Sequence, residues 1–420
     1  MLDLRLGVKI YDNDWFLKHR MAPEQAADVL AGMGATFVIA QSRFLPMQDS
    51  AVESQVRETG GRYESLDDAA FRDALRERGI AYFGCLNICF DPAFALRHPE
   101  LLPVDQFART EEKQDWYIGL SPDRKENLDH KRALLERAVT ALDPDGIHLG
   151  FVRWPGFWEI WLPDVHREEM PEYCYSPVTL KRFCEAVNVD LPLTDASASA
   201  RLIAQRYRRE WRDWKCGMTA DAIGQMRKAV QNKRPGTAIA INTLPFFQSD
   251  FDNAVEEVFG QDIKLLSQVV DVFEVMSYHQ ILRRDAKWPA AVGNDVKRRT
   301  NQNVICTLQA KALYLEGMHA GRGRSTKISA DEFDLAVDEL ERSAVDGMCV
   351  FTFSQLLDVI ETLEGRRMVD RLRCFRRDVP RDLPHISLLR VGREPADQGV
   401  TPEISTCAYF RLLFAIYFFP

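Results

Sequence analysis

Several motifs that mark large enzyme classes are missing from this sequence. Its 420 residues contain no G-x-x-x-x-G-K-[ST] phosphate loop, no G-x-S-x-G nucleophile elbow and no H-E-x-x-H zinc motif. Basic residues form no tract, because 54 lysines and arginines are interspersed with 62 acidic residues, for a formal net charge of −8. These absences argue against the enzyme classes that carry those motifs and against a nucleic-acid partner.

The sequence also predicts no membrane-spanning segment. Charges interrupt Met1–Ile10, so we interpret this stretch as a first strand and not as a signal peptide. The apolar segment 409–420 is too short to span a bilayer and contains Arg411. We expect this segment to pack on the body of the protein or to mediate association, and we predict no membrane partner.

A disulfide framework is not expected either. The nine cysteines are odd in number and scattered along the chain, which favours reduced thiols in a cytoplasmic protein. Neither Cys85 with Cys89 nor Cys174 with Cys184 has the spacing of zinc ligands. We therefore predict no metal and no organic cofactor.

What the sequence does contain is an alternation of strand and helix. Eight short runs are rich in Val, Ile, Leu and Phe without strict alternation, as in parallel strands covered on both faces. They are Leu6–Tyr11, Thr36–Gln41, Ala81–Asn87, Gly146–Val152, Thr237–Thr243, Val272–Tyr278, Asn303–Gln309 and Met348–Phe353. Helical patterns lie between most of them: Pro23–Gly34, Ser65–Gly79, Asn127–Leu142, Ser197–Asn232 with a possible break at Gly217, Ala330–Asp346 capped by Ser329, and Gln355–Phe375.

Eight such units predict a (β/α)8 TIM barrel in the α/β class. We assign residues 1–378 to the barrel and 379–420 to a C-terminal appendage. Residues 88–126 and 154–200 are predicted as loop insertions after the third and fourth strands, at the face where barrels build their active sites.

Polar and aromatic residues follow the predicted strands. Because the C-terminal ends of barrel strands converge, we expect these side chains to line one pocket. The candidates for contacts to a neutral polyhydroxyl ligand are Gln41, Arg43, Asn87, Arg153, Asn242, Tyr278, His279 and Gln309. For His279 a packing role is the alternative.

Glu274 is the first candidate for acid–base chemistry. Side chains alternate along a strand, so Glu274, Met276 and Tyr278 share a face, which we predict to be the barrel interior. Burial there would raise the pKa of the Glu274 carboxyl towards the range of a general acid. The alternatives are a carboxylate paired with an interior cation or one on the outer face. Glu159 and Asp12 are the other candidates, with a loop surface and a turn as their alternative roles.

Aromatic residues cluster after the fourth strand. Trp154, Trp158 and Trp161 lie within eight residues, and sugar rings stack on aromatic faces through their C–H groups. The sequence therefore predicts a sugar platform, with a hydrophobic cap over the barrel as the alternative. Arg153, in the same loop, could bind a hydroxyl or form a structural ion pair.

Five segments resemble a group of mostly uncharacterised TIM-barrel proteins related to glycoside hydrolases. They are Ser121–Pro122, Asp145–Pro155, Tyr173–Phe183, Gly260–Asp262 and Val275–His279, and the likeness covers roughly residues 5–360. The fourth-strand segment and Met276–Tyr278 are also similar to the chitinase-type barrels. The resemblance implies hydrolysis of a glycosidic bond in an oligo- or polysaccharide.

This sequence departs from that resemblance at Gly150, where the group usually has an aspartate, and at Cys174 and Ser176, which replace a richer cysteine pattern. Glycosidic hydrolysis commonly uses two carboxyl groups, and we predict Glu274 with Glu159 or Asp12. Two alternatives stay open. One is a non-catalytic carbohydrate-binding barrel, which Gly150 favours. The other is a metal-dependent hydrolase or isomerase that uses His148 or His279.

Overall fold

The computed structural model describes residues 2–45 and 62–375. Eight parallel strands pair in chain order, and the eighth pairs with the first to close a barrel. They are β1 Leu6–Ile10, β2 Phe37–Ala40, β3 Ala81–Asn87, β4 Gly146–Gly150, β5 Ala238–Thr243, β6 Val272–Val275, β7 Asn303–Gln309 and β8 Gly347–Phe351. The predicted (β/α)8 barrel is confirmed. Several predicted strands ran too far at their C-terminal ends, because the apolar pattern continues into the loops above the barrel.

Helices surround the strands. Their bounds are α1 Asp14–Leu17, α2 Pro23–Gly32, α3 Asp68–Glu77, α4 Pro92–Arg97, α5 Lys125–Leu142, α6 Pro177–Val187, α7 Ala196–Leu202, α8 Arg208–Lys233, α9 Ala254–Glu257, α10 Ile263–Leu266, α11 Trp288–Arg299, α12 Ala330–Arg342, α13 Phe353–Val359 and α14 Leu363–Arg373. Ser329 caps α12 as predicted, since its side chain accepts a hydrogen bond from the Glu332 amide.

Two predicted helices differ from the observed ones. The long helix is interrupted by a π-helical turn at Ile203–Tyr207 and not at Gly217, which lies inside α8. The last helix is divided into α13 and α14, because the Thr362 side chain caps a new start by accepting a hydrogen bond from the Gly365 amide. Helix α11 was not predicted.

Both predicted insertions lie at the C-terminal face. Helix α4 falls between β3 and α5, and helices α6 and α7 fall between β4 and α8. The segment 379–420, including its apolar end, lies outside the described residues. In the described ranges no helix is long and apolar enough to cross a membrane.

The barrel interior is built in layers. At the bottom, Phe37 and Phe83 fill the space above two glycines, since a Cβ added to Gly7 or Gly146 would lie 2.2 Å from the neighbouring ring. The next layer of the interior, two residues further along β1 and β4, is polar. It contains Lys9, His148 and Glu274, which are all fully buried. The floor of the pocket above is therefore polar and not the packed aliphatic layer that TIM barrels usually have there.

Candidate functional site

A cavity opens at the C-terminal face of the barrel. Its lining residues lie at or beyond the C-terminal ends of the strands. Its polar lining is Lys9, Asp12, Asp14, Glu159, Asn242, Thr352, Ser354 and Gln355. Its aromatic and aliphatic lining is Tyr11, Phe90, Trp116, Phe151, Trp158, Met276, Tyr278, Ile281, Leu313, Tyr314 and Phe351.

Asp12 follows β1 directly and lines the cavity. One carboxylate oxygen accepts a hydrogen bond from the Ser354 hydroxyl at 2.5 Å, and the other accepts one from the Asp14 amide at 3.0 Å. Burial, reinforced by the charge of Asp14, raises the pKa of Asp12 to about 7 in spite of these two donors. Asp12 is thus held in a fixed orientation and titrates near neutral pH.

Glu159 reaches the same cavity from the loop after β4. It lies in a single 3₁₀ turn, Trp158–Ile160, and its side chain is buried. Burial raises the pKa of Glu159 to about 7, although the charge of Arg153 opposes the shift. Its Oε2 atom has no hydrogen-bond partner among the described residues. The Tyr314 side chain hydrogen-bonds to the same carboxyl, which lowers the pKa of Glu159 against the effect of burial.

A single arginine from the β7 loop holds the backbone on which Glu159 sits. Arg324 donates to the carbonyl oxygens of Glu159 at 2.7 Å, Ile281 at 2.7 Å and His319 at 2.6 Å. Its guanidinium is buried, so these three bonds are shielded from water. The loops after β4, β6 and β7 are thereby joined at one point.

Glu274 does face the barrel interior, but its environment differs from the predicted one. Its carboxylate contacts Lys9 Nζ at 2.7 Å and His148 Nε2 at 2.9 Å, and it accepts a short hydrogen bond from the Thr307 hydroxyl. Burial alone would raise its pKa, yet Lys9 and His148 outweigh burial and hold the pKa at about 2. The predicted upward shift is wrong, because strands β1 and β4 supply the cation and donor that the carboxylate needs.

Glu274 is also separated from the cavity by this network, while Lys9 lines the cavity floor. Lys9 Nζ lies 3.3 Å from the Tyr278 hydroxyl and 5.0 Å from the centre of the Tyr11 ring. Glu274 consequently neutralises and orients Lys9, which is the member of this network that lines the cavity.

Gly150 is the position where the resembled group has an aspartate. A Cβ at this position would lie 2.2 Å from Asn87 Oδ1. The predicted binding residue Asn87 thus leans across the glycine and occupies the space of the missing carboxylate. Asn87 is buried and lies beside the cavity lining, not in it.

The chain turns sharply after Gly150. Phe151 has a φ of 53°, a left-handed conformation that is uncommon for a residue with a bulky side chain. Its amide donates to Asn242 Oδ1 at 3.0 Å, and its ring stacks on Phe90 at a centroid distance of 4.8 Å. These contacts hold the strained turn and place the Phe151 ring in the cavity wall.

Arg153 is buried behind this wall. Its guanidinium lies 4.7 Å from the centre of the Phe151 ring. All three of its side-chain nitrogens lack a hydrogen-bond partner among the described residues. It influences Glu159 and the buried Glu111 by charge alone, and the pKa of Glu111 is raised by burial to about 8. Arg153 does not line the cavity, so its predicted contact with substrate is not supported.

Only one of the three predicted platform tryptophans reaches the cavity. Trp158 lines it, with its ring 6.0 Å from that of Tyr278. Trp154 is buried against Trp214 of α8, and Trp161 packs edge-on to Phe259. The prediction for Trp154 and Trp161 is wrong, because the turn at Phe151 directs successive side chains of this loop to different sides.

The other predicted binding residues divide into two groups. Asn242 and Tyr278 line the cavity. The rest lie outside its lining and make structural contacts or are enclosed: His279 binds Glu332 at 2.9 Å, Arg43 binds Asp68 at 3.1 Å, Gln309 donates to Gln280 at 3.2 Å, and Gln41 has its Oε1 enclosed beside β2. For these four the predicted role in binding is not supported.

Several cavity residues were not predicted. Lys9 was missed because it lies within a strand, although a lysine in an otherwise apolar run is itself a signal. Trp116 and Tyr314 lie in long loops that carry no strand pattern. Gln355 was assigned to the start of the last helix without a role. Position in a long loop at the C-terminal face was the signal that could have found the aromatic pair.

The described residues hold no cluster of potential metal ligands. No group of three or more His, Cys, Asp or Glu side chains there has a geometry suited to a metal ion. His148 is bonded to Glu274 in the interior, and His279 is bonded to Glu332 on the outside. The two histidines of the metal-dependent alternative therefore belong to separate parts of the structure. The eight cysteines described are all free thiols.

Comparison with solved structures agrees with the barrel architecture. The chain is similar to β-galactosidase from Bacillus circulans sp. alkalophilus, at 11% identity and a TM-score of 0.58, over 89% of this chain and 56% of that one. It is similar to the cold-adapted β-galactosidase from Rahnella sp. R3, at 10% identity and a TM-score of 0.54, with 89% and 56% covered. At this identity the likeness is one of fold, and it agrees with the closed (β/α)8 barrel described above.

A further match is α-L-fucosidase isoenzyme 2 from Paenibacillus thiaminolyticus, at 13% identity and a TM-score of 0.50, over 89% of this chain and 49% of that one. The chain thus spans about half the length of the structures it matches. No protein-family model matches the sequence, and no curated protein matches it.

Proposed function

We propose that this protein is a glycoside hydrolase that cleaves an O-glycosidic bond in the cavity, with Glu159 as general acid and Asp12 as base or nucleophile. One observation carries the proposal. Asp12 and Glu159 line the same cavity, and burial raises the pKa of each to about 7. Two carboxyl groups that titrate near neutral pH can share the acid and base roles that glycosidic hydrolysis requires.

The surroundings of the two carboxyls assign their roles. Both oxygens of Asp12 accept hydrogen bonds, which favours its charged form and fixes its direction. Glu159 keeps Oε2 without a partner among the described residues, so its proton can pass to the glycosidic oxygen as the bond to the anomeric carbon breaks. Asp12 then either bonds to the anomeric carbon or takes a proton from the attacking water.

Polar side chains of the cavity would bind the sugar. Lys9 and Asn242 at the floor and Gln355 at the wall face the cavity, and Trp158 offers a ring for stacking. Gln355 Oε1 is buried without a hydrogen-bond partner among the described residues, so it can accept from a sugar hydroxyl. Glu274, our first candidate from the sequence, acts in this proposal on Lys9 and not on substrate.

The test is release of reducing sugar from a panel of oligosaccharides and synthetic glycosides. We expect Glu159→Gln and Asp12→Asn each to reduce kcat/KM by about 100-fold or more, since each removes a proton-transfer or nucleophilic group. The loss of kcat/KM in Glu159→Gln should be smallest on 4-nitrophenyl glycosides, because their leaving group needs little protonation. The matched control is Glu77→Gln on the exposed surface of α3, which should match wild type. Cleavage that survives both cavity substitutions would contradict the assignment.

One observation favours a second candidate, a carbohydrate-binding barrel without catalysis. Asn87 fills the space of a carboxylate at position 150, so the fourth strand offers no acid there. Calorimetry on the same panel decides between the two. Glycans that bind without being cleaved by wild type would favour the binding barrel over the hydrolase.

We further propose that the protein works in a reducing compartment such as the cytoplasm. The support is that each of the eight described cysteines is a free thiol, six of them buried. Thiol titration of freshly isolated protein tests this, since disulfide-bonded cysteine would contradict it.

A further inference from the structure

The cavity has two chemically different ends. The first, which we name the polar end, carries Lys9, Asp12, Asp14, Ser354 and Gln355 on β1, β8 and the residues that follow them. The rings of Tyr11 and Phe351 lie among these polar groups, with Lys9 Nζ 5.0 Å and 5.8 Å from their ring centres. The second, which we name the aryl seat, consists of Phe90, Trp116, Phe151, Leu313 and Tyr314 on the loops after β3, β4 and β7. A ligand that fills both ends must itself have a polar part and an apolar part.

The rings of the aryl seat form a corner. Phe90 and Phe151 stack with an interplanar angle of 26°, and Trp116 stands nearly perpendicular to both, at 74° and 84°. The Trp116 centroid lies 5.4 Å from Phe90 and 5.9 Å from Phe151. Such a corner presents both ring faces and ring edges, which is the arrangement that a further flat ring prefers.

Hydrogen-bonding groups in the aryl seat are already engaged with each other. Trp116 Nε1 donates to the Tyr314 hydroxyl at 3.3 Å. The Phe151 amide donates to Asn242 at 3.0 Å, and the Leu313 amide donates to Gln280 at 3.1 Å. The hydroxyls of a second sugar would lose their water and find few partners here, which is costly. An aromatic group loses nothing of this kind.

The polar end differs in this respect. Gln355 Oε1 has no hydrogen-bond partner among the described residues, and the Lys9 ammonium, which contacts Glu274 and Tyr278, lines the cavity. We place a single glycosyl unit at this end, beside Asp12. The leaving group then extends towards Glu159 and the aromatic corner.

From this division we infer that the substrates are glycosides of an aromatic or similarly flat apolar alcohol, with the sugar in the polar end and the aglycone in the aryl seat. The inference rests on the proposed hydrolase, whose substrate class it names. It adds a prediction that the hydrolase alone does not make: affinity for the aglycone by itself.

The first experiment uses probes without sugar. Phenol and 4-nitrophenol are titrated into the full-length protein and followed by saturation-transfer NMR and calorimetry. We expect millimolar binding to wild type, about 10-fold weaker binding to Trp116→Ala, and near-normal binding to Trp116→Phe, which keeps an apolar ring. Phe107→Ala is the control, since Phe107 is an exposed ring in the same insertion outside the cavity lining. Thermal melting confirms that each variant is folded.

The second experiment compares phenyl and methyl glycosides of the same sugars on Glu159→Gln, which prevents turnover. We expect the phenyl member of a bound pair to bind about 10-fold tighter, and Trp116→Ala in this background to remove the difference. Two results would overturn the aglycone inference even if glycosides are cleaved. One is equal affinity for the phenyl and methyl glycosides of the same sugar, and the other is phenol binding that Trp116→Ala does not weaken. Trp116-dependent phenol binding with no cleavage of any glycoside would support the aryl seat and refute the hydrolase.

Discussion

Two groups of buried carboxyls lie one layer apart in this barrel and behave in opposite ways. Glu274, in the interior layer, has its pKa held at about 2. Asp12 and Glu159, in the cavity above, have their pKa raised to about 7. All three are removed from water, so burial does not distinguish them. The difference is that Glu274 contacts a lysine and a histidine, whereas neither of the others forms a direct ion pair within residues 2–45 and 62–375.

The comparison shows that buried carboxyls in one barrel can be suited either to a structural role or to proton exchange. A carboxylate with its own counter-ion is fixed in charge and orientation, and it cannot exchange a proton near neutral pH. A buried carboxyl without a counter-ion is poised to exchange one. Burial identifies candidates for acid–base chemistry only when the neighbouring cations are also known.

Glu274→Gln tests the supporting side and should have the largest effect. The substitution leaves the Lys9 ammonium buried without its counter-ion, for which we expect a loss of about 3–5 kcal/mol in the free energy of unfolding. Urea denaturation measures it. The double variant Lys9→Met with Glu274→Gln removes both charges and should recover part of the loss. A single variant as stable as wild type would show that the pair does not hold the interior layer.

Arg153→Met tests the cavity side. Arg153 is a buried cation without hydrogen bonds to the described residues, so its loss should leave stability within about 1 kcal/mol of wild type or raise it. Its charge lowers the pKa of Glu159, so the variant should keep Glu159 protonated to higher pH. We expect the basic limb of the pH–rate profile to move to higher pH, while Glu77→Gln leaves it unchanged. An unchanged profile would separate Arg153 from Glu159.

Glu111→Gln should have the smallest effect at pH 5, where Glu111 is protonated in the folded state, and should act mainly on the pH dependence of stability. The folded pKa of Glu111 is about 8, raised above its ordinary value by burial. The folded state therefore binds more protons than the unfolded state between about pH 4.5 and pH 8, and stability falls as pH rises through this range. The variant should show a shallower fall in thermal melting temperature between pH 5 and 8. Parallel curves for both proteins would argue against the raised pKa.

The sequence predicted the barrel well because each strand is encoded locally, by an apolar run such as Asn303–Gln309 that needs no knowledge of the rest of the chain. The position of the pocket followed from the convergence of strand ends, and Asp12, Glu159, Trp158, Asn242 and Tyr278 were found in this way.

What the sequence could not predict depends on partners distant along the chain. The counter-ions of Glu274 are Lys9 and His148, which lie 265 and 126 positions before it, so the sign of its pKa shift required the closed barrel. Whether the rings of Trp154 and Trp158 reach the cavity depends on the left-handed turn at Phe151, which no pattern of apolar residues predicts. Both errors come from geometry that is set by the assembly of strands and not by local preference.

Arg324 joins three loops by their backbone, and this has a consequence for motion. Glu159 cannot be displaced alone, because its carbonyl shares one guanidinium with those of Ile281 and His319. Any opening of the cavity on this side must either break the hydrogen bonds of Arg324 or move the three loop segments together. If Glu159 is the general acid that we propose, it would move together with these segments and could donate a proton only when the cavity is closed over a ligand.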